Sequence, residues 1–364
     1  MYRELEKENQ TLKNQIKGLT DEKNNLEITV KTFVDSREKI QTEISGLKVQ
    51  NRELTSQVKY LRTQKGDVSE LKRENRTLNN LVDNLKNEIQ SFKRVYVEKT
   101  IKFNVDYTKL TVIVPYRRTQ DEKREENLDI NLNYLSSIGI SNILISEHSD
   151  VSYKEFLEDK YSHLFKSFKV TWTDAKGDLF NLAAAVNNGV LETETPYFAM
   201  ADSDCLTKKK NIDLAIELLD QGFDVVHPFN RRVTDIVEKP KFIENYDFNT
   251  VNSVEQDRPW ADGGMVFWNK YSFISMGMKN EYFIGWGGED NETTLRSNLL
   301  KCNHYRIDDT LYHLYHKRSL VRTQNNVEQL ENTKKMDKKT CLEEINKWPW
   351  VNEAKRKFYP EDPL

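Results

Sequence analysis

The sequence lacks the features that mark secreted and membrane proteins. It has three cysteines among 364 residues, and this odd number, without the spacing of metal ligands, suits a reducing compartment. It has no run of about 18 apolar residues, so we expect no transmembrane helix. The opening MYRELEKENQ has no apolar core, so we expect no secretory signal. Together these absences predict a cytoplasmic protein that is not secreted.

Residues 1–98 contain no proline, tryptophan or cysteine and only three glycines. Lys+Arg and Asp+Glu number 19 and 16 in this region, against 36 and 42 in the rest of the chain. Neither part is therefore basic enough to predict nucleic-acid binding from charge alone. We predict three parts: a helical region over 1–98, a globular domain over 99–335, and a helical tail over 336–364 that packs on that domain.

An apolar residue recurs at every seventh position of the helical region. The series comprises Leu5, Leu12, Leu19, Leu26, Phe33, Ile40, Leu47, Leu54 and Leu61. With these residues at d, the a positions alternate between polar and β-branched side chains, a pattern that favours a parallel two-stranded coiled coil. The phase breaks near residues 64–68 and resumes at Leu71. We predict a homodimeric coiled coil, with an antiparallel hairpin turning at Gly66 as the alternative.

From about residue 105 the pattern changes to short apolar runs that alternate with amphipathic stretches. Residues 110–114, ended by Pro115, and residues 142–146, 168–173 and 197–201 are typical of buried strands. Helices are predicted between them at 122–138 and 180–191. This alternation predicts an α/β fold with a mostly parallel sheet and flanking helices, in which ligands bind beyond the carboxyl ends of the strands.

The first motif at such an end is Asp202-Ser203-Asp204, directly after the fourth strand. Two carboxylates at a strand exit can share a divalent cation, because carboxylate oxygens are hard ligands. The spacing also occurs in solvated turns and helix caps.

A second motif, Gly285-Trp286-Gly287-Gly288-Glu289-Asp290, combines a tight turn with an aromatic ring and two carboxylates. The glycines let the backbone and the indole approach a sugar or base, and a carboxylate can accept a proton from a hydroxyl. The same residues can instead cap a helix over 289–300.

The third motif is His313-Leu314-Tyr315-His316. Two imidazoles three residues apart, on a helix turn or tight loop, can bind one metal ion. Because the chain has only six histidines, the pair is informative.

The order of these motifs resembles metal-dependent nucleotide-sugar glycosyltransferases of the GT-A fold, and most closely the β-1,4-galactosyltransferase family. The segments that carry the resemblance are TVIVPYRR (111–118), FNLAAAVNNG (180–189), YFAMADSDC (197–205), GGMVFW (263–268), GWGGEDNE (285–292) and HLYHKRS (313–319). The resemblance implies a hexosyltransferase that uses Mn²⁺ or Mg²⁺ and inverts the anomeric configuration.

The resemblance also implies roles for individual residues. Asp204, His313 and His316 would bind the metal, Asp290 would be the catalytic base, and Glu289 would act beside it. The donor-binding set would comprise Pro115, Tyr116, Arg117, Glu147, Phe180, Asp202, Gly264 and Trp286.

This sequence departs from the family pattern at three positions. His313 replaces a methionine, Leu182 replaces the basic nucleobase contact, and Asn291 replaces an aspartate. We expect a donor that is a UDP-linked sugar of the galactose, N-acetylgalactosamine or glucose type, and a glycan or protein acceptor, nucleic acid being disfavoured. Two other functions remain open: a nucleotidyltransferase on a similar sheet, or a non-catalytic sugar-binding scaffold dimerised by the coiled coil.

Overall fold

The computed structural model divides the chain into two compact units, Met1–Lys102 and Phe103–Leu364. The residues that it describes are 105–119, 121–249, 253–256, 261–316 and 323–359, with positions 6, 10, 39, 42–57, 73, 76–81 and 84 of the first unit. None of the helices in this part of the chain combines the length and hydrophobicity of a membrane span.

In the first unit, residues 42–57 and 76–81 are helical. Ile44 and Leu54, which occupy predicted a and d positions, are buried. The Asn51 side chain donates a hydrogen bond of 2.5 Å to the Asn79 side chain. This contact joins segments on either side of the predicted phase break, as the hairpin alternative requires. Most positions of the heptad series and the break at 64–68 lie outside the described residues, so the parallel coiled coil stays a prediction.

The described part of the second unit contains eleven strands and ten α-helices. The strands are β1 (Leu110–Tyr116), β2 (Asn142–Ser149), β3 (Ser167–Asp174), β4 (Tyr197–Ala201), β5 (Cys205–Leu206), β6 (Val225–His227), β7 (Arg232–Ile236), β8 (Ser253–Gln256), β9 (Met265–Asn269), β10 (His304–Arg306) and β11 (Thr310–Leu314). The helices are α1 (Glu122–Ser137), α2 (Lys154–Tyr161), α3 (Leu182–Leu191), α4 (Lys209–Asp220), α5 (Lys239–Ile243), α6 (Lys270–Ser275), α7 (Glu289–Leu299), α8 (Gln324–Lys335), α9 (Lys338–Ile345) and α10 (Pro349–Phe358).

Seven strands form the main sheet, in the order β10-β6-β9-β4-β1-β2-β3. All of them run parallel except β9, which is antiparallel to both β4 and β6. The predicted α/β fold with a mostly parallel sheet is therefore confirmed. A smaller sheet, in the order β5-β11-β7-β8, continues from the end of β4.

Strand β1 is buried at all seven positions, as its apolar, β-branched sequence predicts. The expectation that Pro115 ends this strand is wrong, because β1 continues to Tyr116 and Pro115 pairs with Ser146 of β2. The pairing of β1 with β4 stops at Ile113. Beyond that point, within the residues that the structure describes, β1 pairs with β2 alone, so the hydrogen bond that proline cannot donate is not needed on the other side.

The main hydrophobic core packs the sheet against helices from the end of the chain. Phe198 of β4 and Trp268 of β9 belong to the same buried cluster as Ile345, Trp348 and Val351, which come from α9, the linker after it and α10. Burying side chains of this size stabilises the fold by about 1.5–3 kcal/mol each. Helices α9 and α10 thus form one wall of the core.

Candidate active site

The predicted site residues gather at one edge of the main sheet. Strands β1, β2 and β4 are parallel, so their carboxyl ends lie along the same edge. Because β9 runs in the opposite direction, the glycines that precede it lie at this edge too. Asp202 follows β4 directly, and its backbone N–H donates to the Gly264 carbonyl at 2.8 Å.

Asp204, His313 and His316 come together across the small sheet. In β11, His313 lies opposite Cys205 of β5 and opposite Asp235 of β7. Asp204 Oδ2 lies 2.8 Å from His316 Nε2 and 3.8 Å from His313 Nε2. Each of the three residues offers a ligand atom within 4.8 Å of the other two.

The expectation that a helix turn or tight loop carries the two histidines is wrong. The sequence Thr310–Leu314 is rich in β-branched and aromatic residues, and it forms a strand held between β5 and β7. His316 lies just beyond the end of this strand. The chain leaves the strand after Leu314, and this brings the two imidazole centroids to 5.2 Å.

Asp235 orients one of these imidazoles. Its Oδ1 lies 2.6 Å from His313 Nδ1, and both side chains are buried. An imidazole held through Nδ1 presents Nε2 to a metal, and such carboxylate partners are common behind metal-binding histidines. Sequence reasoning missed Asp235, because only the register of β7 with β11 brings it to His313.

Two buried asparagines of α1 fix the backbone of the same cluster. Asn131 donates to the carbonyls of Asp202 and Cys205 at 3.1 and 2.9 Å. Asn127 donates to the carbonyl of Leu314 at 2.9 Å. The two lie four residues apart and so share one helix face. Sequence reasoning missed them, although two asparagines on the apolar face of a helix were a usable signal.

The donor set fits a divalent metal ion. Although burial raises the pKa of Asp204, the hydrogen bond from His316 and the charge of His313 outweigh it and lower the pKa to about 2. The carboxylate is thus kept in the form that binds metal. One carboxylate and two imidazoles suit a transition metal such as Mn²⁺ better than Mg²⁺, which prefers oxygen ligands alone.

The Gly-rich motif places Glu289 and Asp290 in the first turn of α7. Gly287 and Gly288 have φ of +103° and +98°, a conformation that residues with a Cβ rarely adopt. Burial, followed by the charge of Asp290, raises the pKa of Glu289 to about 7. Within the described residues, Glu289 Oε2 is buried without a hydrogen-bond partner.

The Asp290 carboxylate lies between a glycine and a buried lysine. Lys279 Nζ contacts Asp290 Oδ1 at 2.5 Å, and the Lys279 side chain is only 3% exposed. On the other side, a Cβ added at Gly263 would stand 1.7 Å from Asp290 Oδ2. Sequence reasoning missed Lys279; its signal was a lysine just after the apolar pair Gly277-Met278.

Asp202 connects the metal-binding cluster to Asp290. Burial is the main cause that raises the pKa of Asp202 well above its ordinary value, and the charges of Asp204 and Asp290 add to it. Lys279 acts in the opposite direction. The predicted metal ligand and the predicted base are thus both within electrostatic reach of one carboxyl group.

Another group of predicted residues lies at the ends of β1 and β2. Arg117 donates to the Asp178 carbonyl at 2.6 Å and pairs with Asp150 at 3.2 Å. The ring of Phe180 is half-buried, 6.1 Å from that of His148. Burial, followed by the charge of Arg117, lowers the pKa of His148, so its imidazole stays neutral.

Tyr116 and Glu147 pair in register at this edge. Burial raises the pKa of Tyr116 far above the usual value for tyrosine. The Glu147 carboxylate is fully buried and accepts the Tyr153 N–H at 3.0 Å and the Ser149 hydroxyl at 2.6 Å. Because Glu147 holds the start of α2 in this way, a donor contact from it stays a prediction.

Trp286 and Gly264 complete the predicted set. The Trp286 side chain is 50% exposed, and the Gly285 N–H next to it donates to the Phe180 carbonyl at 3.0 Å. Gly264 has a φ of +94°, and a Cβ there would stand 2.5 Å from Leu311 Cδ2. Its importance in this structure is therefore steric, and a role in donor binding stays a prediction.

Residues 255–317 match the model of a protein family described as the N-terminal domain of galactosyltransferase. This stretch covers β9, α7, β10 and β11, and so contains both the Asp290 and the His313–His316 parts of the site. No curated protein sequence matches the chain.

Three solved structures illustrate its structural likeness to known proteins. The catalytic domain of Drosophila beta1,4galactosyltransferase 7 with xylobiose is 18% identical, over 63% of this chain and 80% of that chain, with a TM-score of 0.40. A mutant of that enzyme with manganese, UDP-Gal and xylobiose is 17% identical, over the same shares, with a TM-score of 0.40. S. aureus TarS 1–349 with UDP-GlcNAc is 14% identical, over 68% and 73%, with a TM-score of 0.46. Likenesses of this size assign no function, and it is over residues 255–317 that the chain is similar to a galactosyltransferase family.

Proposed function

We propose that this chain is a metal-dependent glycosyltransferase of the GT-A type. It transfers a hexose of the galactose, N-acetylgalactosamine or glucose type from a UDP-linked donor to a hydroxyl of a glycan or protein, with inversion. The observation that carries the proposal is the cluster of Asp204, His313 and His316, whose ligand atoms lie within 4.8 Å of one another. The hydrogen bond from Asp202 to Gly264 and the contact of Gly263 with Asp290 bring Asp290 to the same edge of the sheet. The family match over residues 255–317 supports the same reaction class.

Asp204, His313 and His316 are the residues that would hold the cation. A bound Mn²⁺ or Mg²⁺ supplies positive charge that offsets the negative charge on a departing diphosphate. Neighbouring contacts hold these three metal-binding side chains in position. Asp235 does this for His313, and the hydrogen bond of 2.8 Å from the Leu314 N–H to the Asp204 carbonyl ties β11 to the Asp202–Asp204 turn.

Asp290 is the general base in this proposal. Its carboxylate accepts the proton of the acceptor hydroxyl, whose oxygen forms a bond to the anomeric carbon. The bond from that carbon to the diphosphate oxygen breaks, and the nucleoside diphosphate leaves with the electron pair. One carboxylate suffices because a diphosphate leaves without being protonated, whereas the two carboxylates of glycosidases include an acid for a sugar oxygen.

Tyr116, Arg117 and Phe180 would bind the nucleotide, and Trp286 would lie against the sugars. One residue near the predicted nucleotide site departs from the galactosyltransferase pattern. Leu182, the first residue of α3, stands where the galactosyltransferase pattern has a basic residue. A test of the donor therefore has to include nucleobases other than uracil.

The test is release of nucleoside diphosphate from a panel of UDP-, GDP- and TDP-sugars with Mn²⁺ and mixed sugar acceptors. We expect release from at least one hexose donor, its loss on chelation, and its loss in Asp290→Asn with donor binding retained. Asp204→Ala should lose affinity for the metal–donor complex. Asp308→Asn, which changes an exposed carboxylate, is the control.

Three results would contradict the proposal. Native-rate transfer by Asp290→Asn would remove the assigned base. Release of pyrophosphate from a nucleoside triphosphate would favour a nucleotidyltransferase. Sugar binding without any transfer would favour the scaffold alternative.

We also propose, on the heptad series, that residues 1–98 dimerise the enzyme as a parallel coiled coil, whereas the contact between Asn51 and Asn79 favours the hairpin. Cysteine cross-linking tests this, because residues 1–98 contain no native cysteine. In a parallel dimer, Asn51→Cys alone gives a disulfide-linked dimer. In the hairpin, Asn51→Cys gives a cross-link within one chain when it is combined with Asn79→Cys, and such a product without dimers would refute the proposal.

A further inference from the structure

Lys279 is a buried cation that the proposed reaction does not yet use. Its Nζ contacts Asp290 Oδ1 at 2.5 Å, while its side chain is 3% exposed. Burying a lysine away from solvent is costly unless a carboxylate pairs with it. The pair therefore fixes where both charges lie, and the inference that follows rests on the proposed role of Asp290 as base.

The backbone of Lys279 is held in place by two other buried side chains. Asn187 of α3 accepts from the Lys279 N–H at 3.0 Å and donates to the Lys279 carbonyl at 2.9 Å. Arg296 of α7 donates to the carbonyl of the preceding residue, Met278, at 2.6 Å. Since α7 also carries Asp290, the lysine and its partner are fixed to the same helix.

The charges around Asp290 make this cation important. Together with burial, the charge of Asp290 raises the pKa of Glu289, its neighbour on the same helix, and that of Asp202 at the end of β4. Both are carboxyl groups, and Lys279 opposes the rise in the pKa of each of them. Without Lys279, three acidic groups would share a space with low access to water.

We propose that Lys279 is a positioning residue for the general base. It holds Oδ1 of Asp290, so that Oδ2, at Gly263, is the oxygen that receives the proton of the acceptor. The lysine acts through Asp290, with which its buried side chain pairs. Lys279 lies outside the segments that carry the resemblance to the galactosyltransferases.

The pH–rate profile of kcat is the first test. An opposite charge within about 4–6 Å favours the ionised carboxylate by one to three pH units. Lys279→Met and Lys279→Gln should therefore move the acid limb of the profile to higher pH by about one to three units, and should lower kcat more than they change the KM for donor. Lys279→Gln keeps a hydrogen-bond donor without the charge, and so separates charge from contact.

A second test needs no activity. Lys279→Met should lower the Tm, and adding Asp290→Asn should restore part of the loss, since the lysine and the aspartate are coupled. Lys270→Met is the matched control. Lys270 is a half-buried lysine at the far end of β9, bonded to the Thr193 carbonyl, so its removal should leave the acid limb unmoved.

The outcomes separate this inference from the proposed function. The positioning role of Lys279 is supported if the acid limb moves to higher pH and if adding Asp290→Asn restores part of the Tm lost in Lys279→Met. An unmoved acid limb in an enzyme that still depends on Asp290 overturns it and leaves the proposed function standing, because a purely structural lysine gives that result. Additive Tm losses overturn the pairing itself. Absence of transfer by the unmodified chain overturns both proposals.

Discussion

Gly263 and Asp290 lie so close that residue 263 cannot carry a side chain without moving the carboxylate. A Cβ there would stand 1.7 Å from Oδ2 and 2.3 Å from Cγ of Asp290. Oδ2 of Asp290 therefore lies beside the α-carbon of Gly263, which carries no side chain. The contact also sets the separation between α7 and the segment before β9, which are remote in sequence.

Gly263→Ala should therefore displace Asp290. A misplacement of about 1 Å in a reacting group can lower a rate about 100-fold, and we expect a loss of that order in kcat with donor affinity retained. Gly222→Ala is the control, because no described atom lies within 4 Å of a Cβ at Gly222, and its positive φ, which Gly263 lacks, makes the control the more strained backbone of the two. Equal rates for the two variants would refute the steric account.

Asp235→Asn should weaken metal binding, although Asp235 is not one of the proposed metal ligands. The carboxylate fixes the orientation and basicity of His313, and loss of such a partner costs about 10–100-fold in metal affinity. Titration calorimetry with Mn²⁺ measures this directly. Asp308→Asn provides the comparison, since Asp308 is an exposed aspartate paired with Arg232 of the same sheet. Unchanged affinity in Asp235→Asn would show that His313 is held by other contacts.

Glu289 should make stability depend on pH. Its pKa is raised from 4.5 to about 7, foremost by burial. The folded state therefore keeps a proton that the unfolded chain has lost, so the free energy of unfolding falls as pH rises between these values. The fall is up to about 3 kcal/mol, and Glu289→Gln should remove it.

Denaturant unfolding at about pH 5 and about pH 8 checks this prediction. Glu155→Gln, at an exposed position on α2, is the control, and its free energy of unfolding should depend on pH as that of the unmodified chain does. If the free energy of unfolding of Glu289→Gln still falls between these two pH values, a group other than Glu289 causes the pH dependence.

Arg296 should be far more costly to remove than an exposed partner of a surface ion pair. It is almost fully buried, pairs with Glu292 at 2.7 Å and donates to the carbonyls of Met276 and Met278. Breaking a buried pair costs about 3–5 kcal/mol, so Arg296→Met should lower the free energy of unfolding by that amount.

An exposed pair on α9 provides the comparison for Arg296. Lys339 and Glu343 lie four residues apart and 3.7 Å from each other, with Lys339 83% exposed. Lys339→Met should change stability by less than about 1 kcal/mol. Similar losses in the two variants, measured by denaturant unfolding, would refute the ranking.

The local elements of the sheet could be predicted from the sequence. Strand β4 has the predicted bounds, and α7 ends one residue before the predicted end, because apolar runs and glycines act locally. Helix α3 begins at Leu182 instead of Phe180, since Asn181 caps it by accepting the Ala184 N–H. Phe180 is thereby left outside the helix, beside His148.

Contacts set by strand register could not be predicted. Asp235 meets His313 across 78 residues, because β7 and β11 run side by side. Lys279 meets Asp290 because α3 and α7 hold its backbone from two directions. Asp235 has no periodicity or spacing that marks it in the sequence, and Lys279 is marked only by the two apolar residues before it. Both contacts depend on elements that the pattern alone does not pair.

The packing of the last helices has a practical consequence for shortening the protein. Ile345, Trp348 and Val351 pack with β4 and β9, and the Arg296 guanidinium lies 5.0 Å above the ring of Trp348. A protein truncated after residue 335 would expose the apolar residues of β4 and β9 that α9 and α10 cover. It would also lose Trp348, the aromatic neighbour of Arg296, whose guanidinium holds the backbone next to Lys279. We expect such a truncation to yield aggregated material, whereas a boundary beyond Phe358 keeps the wall intact.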